Sequence, residues 1–88
     1  MRVTVQFFAR LRELSGCAEW VCHLPDGASV ADVWQAAARE YPAVSVLTSA
    51  VSAAVNADFA SMHATVHDGD EVAFLPPVSG GRGIRARV

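Results

Sequence analysis

The sequence predicts an α+β fold for a single domain, and three features carry that prediction. The chain has only 88 residues, of which 52% are apolar, which is enough for one core and no second domain. In the sequence, one amphipathic helix is preceded and followed by short runs in which polar and apolar side chains alternate. Turn sequences rich in Gly, Pro and Asp separate these elements.

The first predicted strand spans residues 2–8, where alternating side chains include many β-branched and aromatic residues. This alternation directs every second apolar side chain to the core and leaves Phe8 on the opposite face. A short helical turn at residues 9–14 is expected next, followed by a second strand at about residues 19–24. The core side chains expected from the two strands are Val3, Val5, Phe7, Trp20, Cys22 and Leu24.

One helix is the clearest element of the sequence. Ser29 and Asp32 have the spacing of a capping box at its start, and Pro42 ends it. Between them, apolar residues recur at helical spacing while polar residues occupy the other positions. The predicted core face of this helix consists of Val30, Val33, Trp34, Ala37 and Tyr41.

The remaining strands are expected after the helix. Residues 44–50 fit either a short helix or an irregular segment, and residues 51–56 have extended character. A turn at residues 67–70 leads into a last strand at residues 71–75, whose Leu75 points away from the core. The order of strand, strand, helix, strand and strand predicts a β-grasp, the ubiquitin-like roll. Its mixed sheet of four to five strands would pack on one main helix.

The last strand continues into a tail of unusual composition. Pro76 and its neighbouring proline cannot continue a ladder, because proline donates no hydrogen bond. Gly80 and Gly81 follow shortly afterwards, and glycine can pass through a slot too narrow for residues that have a Cβ. A chain ending at Gly81 would therefore carry its α-carboxylate on a slender arm.

Both ends of the chain resemble one known family. Residues 68–81 read Asp-Gly-Asp-Glu-Val-Ala-Phe-Leu-Pro-Pro-Val-Ser-Gly-Gly, which closely resembles the end of the small subunit of molybdopterin synthase. Residues 5–14 resemble the opening strand and turn of the same family, while residues 24–27 and 54–56 match more loosely. The resemblance implies a β-grasp sulfur-carrier domain at residues 1–81.

The resemblance also implies a protein that is not catalytic alone. In that family a partner activating enzyme uses ATP to adenylate the terminal glycine carboxylate, and a persulfide sulfur then displaces AMP. The resulting thiocarboxylate enters the large subunit of the synthase and supplies sulfur for the dithiolene of the molybdenum cofactor. Carried over, Gly81 would bear the adenylate and the thiocarboxylate, and Gly80 would allow the narrow approach. This chain itself would bind no cofactor.

A docking surface for these partners is expected on the sheet face away from the helix. Phe8 and Leu75 are large apolar side chains on that face, and an exposed apolar patch usually marks an interface. A short helix or loop covering them is the alternative. The residues expected to bind partners are Phe8, Leu75, Pro76, Val78 and Ser79.

The sequence departs from the family pattern after Gly81. Residues 82–88 are expected to form a flexible basic extension, and a Gly81 carbonyl within a peptide bond offers no carboxylate to adenylate. Three explanations of the extension stay open. The chain is a precursor that a processing protease trims, a paralogue without carrier activity, or the product of a gene-boundary artefact. An exposed segment rich in arginine favours trimming.

The charge distribution excludes several classes of protein. Residues 1–81 hold four arginines and nine acids, a net charge of 4 − 9 = −5, while residues 82–88 add three arginines. An acidic domain is a poor match for a nucleic-acid backbone, and no apolar stretch has the length of a membrane span. We therefore expect neither a nucleic acid nor a membrane as partner.

The cysteines and histidines indicate neither a disulfide framework nor a metal site. Cys17 and Cys22 are separated by four residues, which fits two reduced thiols in a cytoplasmic protein. The three histidines lack the cysteines or carboxylates that would complete a metal site.

Two other functions stay open from the sequence. The first alternative is a sulfur carrier for thiamine, cysteine or another pathway. The chain is also compatible with a ubiquitin-like binding module, or with a protein modifier joined to lysines through Gly81, because carrier and modifier share the adenylation step.

Overall fold

The computed structural model describes residues 1–77, which form one five-stranded sheet with helices on one of its faces. The strands are β1 (Arg2–Phe7), β2 (Glu19–His23), β3 (Ser52–Val55), β4 (Asp58–Ala60) and β5 (Glu71–Leu75). The helices are α1 (Ala9–Ser15), α2 (Val30–Glu40) and the 3₁₀ helix η1 (Pro42–Leu47). Within the sheet the strand order is β2-β1-β5-β3-β4, with β1 and β5 parallel and the other pairs antiparallel. This mixed sheet, crossed by α2, is the predicted β-grasp.

Helix α2 begins as predicted. The Ser29 hydroxyl accepts a hydrogen bond from the Asp32 backbone N–H at 3.2 Å, and the Asp32 carboxylate accepts one from the Ser29 N–H at 2.9 Å. This reciprocal pair satisfies two backbone donors that a helix start leaves unpaired. For the segment that follows, the sequence left a helix and irregular structure open. In the structure this segment begins as the 3₁₀ helix η1, with Pro42 in its first turn.

The core lies between α2 and one face of the sheet. Trp34 of α2 stacks edge-on against Phe74 of β5, with ring centroids 4.9 Å apart. The predicted inward residues of β1 and most of the predicted face of α2 are buried, whereas Trp20 and Tyr41 are half-buried at the edge of the core. The largest fully buried side chains are Val3, Val5, Phe7, Leu11, Val30, Val33, Val44, Val66, Val72 and Phe74.

Replacing Phe74 with alanine is expected to destabilise the domain strongly. Phe74 is fully buried, so its removal leaves a cavity against Trp34 and lowers the free energy of unfolding by about 3–5 kcal/mol. The next residue, Leu75, faces away from the core and is only half-buried, so Leu75→Ala is the matched control. Urea denaturation of both variants tests this prediction, and equal losses for the two would contradict the assigned register of β5.

The loop before β5 ties the sheet together through the acids of the family-like motif. Asp68 accepts a hydrogen bond from the Arg2 backbone N–H at 2.7 Å, and the Gly69 N–H donates to the Arg2 carbonyl at 2.8 Å. Gly69 has φ +86°, a conformation that favours glycine. These contacts hold the start of β5 beside the start of β1.

Asp70 joins the same loop to the turn between β3 and β4. Its carboxylate accepts from the Asn56 side-chain amide at 2.9 Å and from the His67 backbone N–H at 2.8 Å. The Asn56 amide oxygen in turn accepts from the Glu71 N–H at 3.0 Å. The hydrogen bond from Asn56, followed by that from His67, holds the pKa of Asp70 below its usual 3.8. Asp68 and Asp70 therefore fix the loop before β5 to the start of β1 and to the turn between β3 and β4.

The Asp70 network predicts a specific dependence of stability on pH. A carboxyl whose pKa is lower in the folded than in the unfolded state stabilises the fold above the unfolded pKa, and this contribution is lost as the pH falls through the folded value. We expect Asp70→Asn to cost about 1–2 kcal/mol at pH 7 and progressively less below about pH 4. Thermal denaturation from pH 7 to pH 3 measures the difference from the unchanged chain. Exposed Asp26 provides the control Asp26→Asn, and a deficit for Asp70→Asn that grows toward low pH would contradict the network.

Candidate functional site

The sheet face opposite α2 carries a row of small and apolar side chains. Ladder pairing places Gln6 opposite Ala73, Ala73 opposite Ala54, and Ala54 opposite Phe59. Directly paired residues point to the same face, so these four side chains cross four adjacent strands in one line. Phe59 stands at the outer end of the row and is 84% exposed.

A second row carries the residues predicted for docking. Leu75 of β5 pairs with Ser52 of β3 and is half-buried, and Phe8, directly after β1, is 46% exposed. Pro76 is half-buried beside Leu75. In the part of the chain that the structure describes, neither a helix nor a loop shields Phe8 and Phe59 from solvent. Phe8, Phe59 and Leu75, with the alanines between them, are called the open face below.

Two grooves meet at the open face. One, of about 500 Å³, is lined by the apolar side chains of Phe8, Phe59 and Leu75, and its polar lining residues are Gln6, Asn56 and Glu71. The other, of about 420 Å³, runs between Phe59 and Leu75 on one side and Pro76 on the other. Together they offer apolar walls with space for bulky side chains of a partner, close to the point where β5 leaves the sheet.

Phe59 is the main residue of this face that the sequence analysis missed. Strand β4 has only three residues, too few for an alternating pattern to stand out. The available signal in the sequence was Asn56, a residue typical of turns. In the structure Asn56 and Ala57 both adopt positive φ, of 50° and 74°. Two such residues form the tight turn of a hairpin, for which Asn in the first position is typical. That hairpin brings Phe59 back beside Ala54.

The structure covers part of the predicted site. Phe8 and Leu75 belong to the open face, and Pro76 lies beside Leu75 at its edge. Val78, Ser79, Gly80 and Gly81 lie outside the described residues, and so do residues 82–88. The site as described is the open face together with the end of β5, from which the chain continues toward Gly81.

Side chains suited to metal binding do not cluster within residues 1–77. In this range no three His, Cys, Asp or Glu residues are placed to hold a metal ion together. His23 is exposed on its strand, and His63 and His67 are exposed in the loops that precede β5. Residues 1–77 also contain no helix that is both long and apolar enough to cross a membrane.

Comparison with known proteins gives matches over almost the whole chain. Residues 5–81 match the ThiS family. The molybdopterin synthase sulfur carrier subunit of Escherichia coli (strain K12) is 37% identical over 81 residues, covering 90% of this chain and 99% of that protein. The corresponding subunit of Arabidopsis thaliana is 31% identical over 81 residues, covering 92% and 84%.

Among solved structures, the fold is similar to that of small archaeal modifier protein 1 from Haloferax volcanii. The TM-score is 0.83 at 27% sequence identity, with 92% of this chain and 100% of the other covered. The similarity confirms the ubiquitin-like β-grasp that the sequence predicts. On the match over residues 5–81 and these curated relatives, the chain belongs to the ThiS family and is similar to the sulfur carrier subunits of molybdopterin synthase.

Proposed function

We propose that this protein is the sulfur carrier subunit of a molybdopterin synthase and carries sulfur as a thiocarboxylate on Gly81. The observation that carries the proposal is that the apolar open face and Gly81 lie close together in the sequence. Strand β5 contributes Leu75 to the open face, and only five residues separate Leu75 from Gly81 in the sequence. The curated relatives that bear the name of this subunit support the same function.

In the proposed chemistry the carboxyl group of Gly81 is converted to a thiocarboxylate in three steps. Its carboxylate oxygen attacks the α-phosphate of ATP in an activating enzyme, and pyrophosphate leaves. The terminal sulfur of a partner's persulfide then attacks the acyl carbon and AMP departs. Reductive cleavage of the sulfur–sulfur bond by a thiol leaves the thiocarboxylate. Adenylation is required because a carboxylate oxygen is a poor leaving group until it is bound to phosphate.

Three partners follow from this proposal. The activating enzyme and the large synthase subunit would both contact the open face, since an apolar surface close to the arm would position Gly81 in each active site. A protease would first remove residues 82–88, because the carboxylate of Gly81 exists only after that bond is cleaved. We place these events in the cytoplasm, in keeping with the free thiols of Cys17 and Cys22.

Reconstitution with the large subunit tests the function. Residues 1–81 with a thiocarboxylate at Gly81 are mixed with the large synthase subunit of the same organism and the cyclic pyranopterin precursor. Molybdopterin formation that requires both proteins is the expected result. If the thiocarboxylated protein binds the large subunit but no dithiolene forms, the molybdenum assignment is lost, and the thiamine and cysteine pathways are tested next.

A protein modifier is the second candidate function. The similarity to small archaeal modifier protein 1, at a TM-score of 0.83, favours it, and the activation of Gly81 would be the same. The two functions differ in the acyl acceptor, which is a lysine amine of another protein for a modifier. Immunoblotting of cells that express tagged residues 1–81 separates them, because a modifier gives a series of heavier conjugates and a carrier gives the free chain.

A further inference from the structure

We infer that the outer edge of β2 is a self-association surface, at which two copies of this chain pair their β2 strands antiparallel and join their sheets. The strand order places β2 at one end of the sheet, and among residues 1–77 no strand pairs with its outer edge. An unpaired edge of this kind offers backbone donors and acceptors that another strand satisfies. The inference goes beyond the proposed function and does not depend on it, because no residue of β2 belongs to the open face.

The hydrogen bonds between β1 and β2 identify the backbone groups that point outward from this edge. Met1 and Leu24 exchange two hydrogen bonds, at 2.6 and 2.9 Å, and the Phe7 N–H donates to the Ala18 carbonyl at 2.9 Å. Bonded and non-bonded pairs alternate along an antiparallel ladder, so every second residue counted back from Leu24 also bonds to β1. The N–H and C=O groups that point outward are therefore those of Glu19, Val21 and His23.

These three residues form an edge that is complementary to itself. When two copies meet about a two-fold axis at Val21, the ladder places Glu19 of each copy opposite His23 of the other. All three residues then exchange hydrogen bonds, whereas a register shifted by two residues leaves one of them without a partner in β2. The Glu19 carboxylate accepts from the imidazole N–H, so each end of the new ladder carries a pair of complementary side chains.

Apolar side chains at the same edge are incompletely covered. Val21 is half-buried on the sheet face opposite α2, and Trp20 and Leu24 are half-buried at the rim of the core. Leu24 also lines a groove of about 360 Å³ between α2 and the residues that follow β2. In the joined ladder Trp20 lies beside Cys22 of the second copy, and Val21 lies beside its own counterpart. Association therefore removes further apolar surface from water on both faces of the sheet.

Pairing at β2 leaves both open faces uncovered. The two-fold axis of an antiparallel strand pair runs perpendicular to the sheet, so the open faces of the two copies lie on the same side of the joined sheet. Strand β4, which carries Phe59, is at the opposite end of each sheet from β2. One dimer therefore presents two separate docking surfaces.

Sedimentation velocity of the full chain, with its thiols reduced and over about 10 µM to about 1 mM, should show a reversible dimer. The association should be weak, because one edge strand buries less area than a standard interface. His23→Glu puts like charges opposite each other at both ends of the ladder and should weaken the dimer by about tenfold. Adding Glu19→Lys to that variant should restore the dimer. His63→Glu, at an exposed histidine outside β2, is the matched control and should leave association unchanged.

Hydrogen–deuterium exchange measured by NMR locates the contact. The backbone N–H groups of Glu19, Val21 and His23 should become protected as the concentration rises, whereas those of Trp20 and Cys22 should be protected at every concentration. A chain that stays monomeric up to about 1 mM overturns the inference. So does a dimer that lacks this pattern of protection, or one that the charge exchange between positions 19 and 23 does not restore.

Discussion

A chain that ends at Gly81 is expected to accept sulfur from the activating system, whereas the chain of residues 1–88 is expected to accept none. In the longer chain the Gly81 carbonyl lies in a peptide bond, so Gly81 has no carboxylate for adenylation and the terminal carboxylate belongs to Val88. The two proteins share the entire described domain, and a difference of at least about a thousandfold in thiocarboxylate yield is therefore expected to come from the last seven residues alone. Mass spectrometry after incubation with ATP, the activating enzyme and a sulfur donor measures this yield.

Two controls make this result specific to Gly81. A chain ending at Gly80 still has a terminal glycine but a shorter arm, and Gly81→Ala in residues 1–81 adds one methyl group at the reacting residue. Both are expected to lower the yield by about tenfold or more, because the proposal requires a full-length arm whose terminal residue has no Cβ. Equal thiocarboxylate formation by the chains of residues 1–81 and 1–88 would show that trimming has no role.

Phe59→Asp is expected to weaken binding to the large synthase subunit by about 2 kcal/mol, roughly thirtyfold, without destabilising the fold. Phe59 is 84% exposed, so it contributes little to the core, but it forms a wall of both grooves on the open face. An exposed aromatic side chain that becomes buried against a partner commonly contributes this much to affinity. Isothermal titration calorimetry with the large subunit measures the loss, and thermal denaturation verifies the fold.

Val46 provides the matched control for Phe59. It is another large apolar side chain exposed to solvent, at 73%, but it belongs to η1, which packs with α1 and α2 away from the open face. Val46→Asp is expected to leave binding unchanged. If it weakens binding as much as Phe59→Asp does, the partner contacts the helical side and the open face is not the docking surface.

The sequence was sufficient for the parts of the fold that rest on local periodicity. Alternation in β1 identified Val3, Val5 and Phe7 as core residues, and the capping box located the start of α2. Both signals depend on neighbours a few residues apart. The sequence left residues 44–50 undecided because a 3₁₀ helix has no distinctive pattern, and its position here depends on packing against α1 and α2.

The candidate site was predictable only where it coincides with strand alternation. Phe8 and Leu75 follow from the periods of β1 and β5, whereas Phe59 depends on a hairpin whose short second strand carries almost no pattern. For the Asp-Gly-Asp motif the sequence predicts only a turn. Asp68 and Asp70 instead bind backbone and side-chain groups that lie far away in the sequence, which no local pattern reveals.

The intact mass of the protein recovered from its own cells tests the central proposal most directly. We predict a mass that corresponds to a chain ending at Gly81, with a fraction of molecules in which one oxygen is replaced by sulfur. That result would establish both the trimming and the carrier chemistry in one measurement. A mass that includes Val88 in every molecule would contradict the proposal, because Gly81 would then never become a carboxylate.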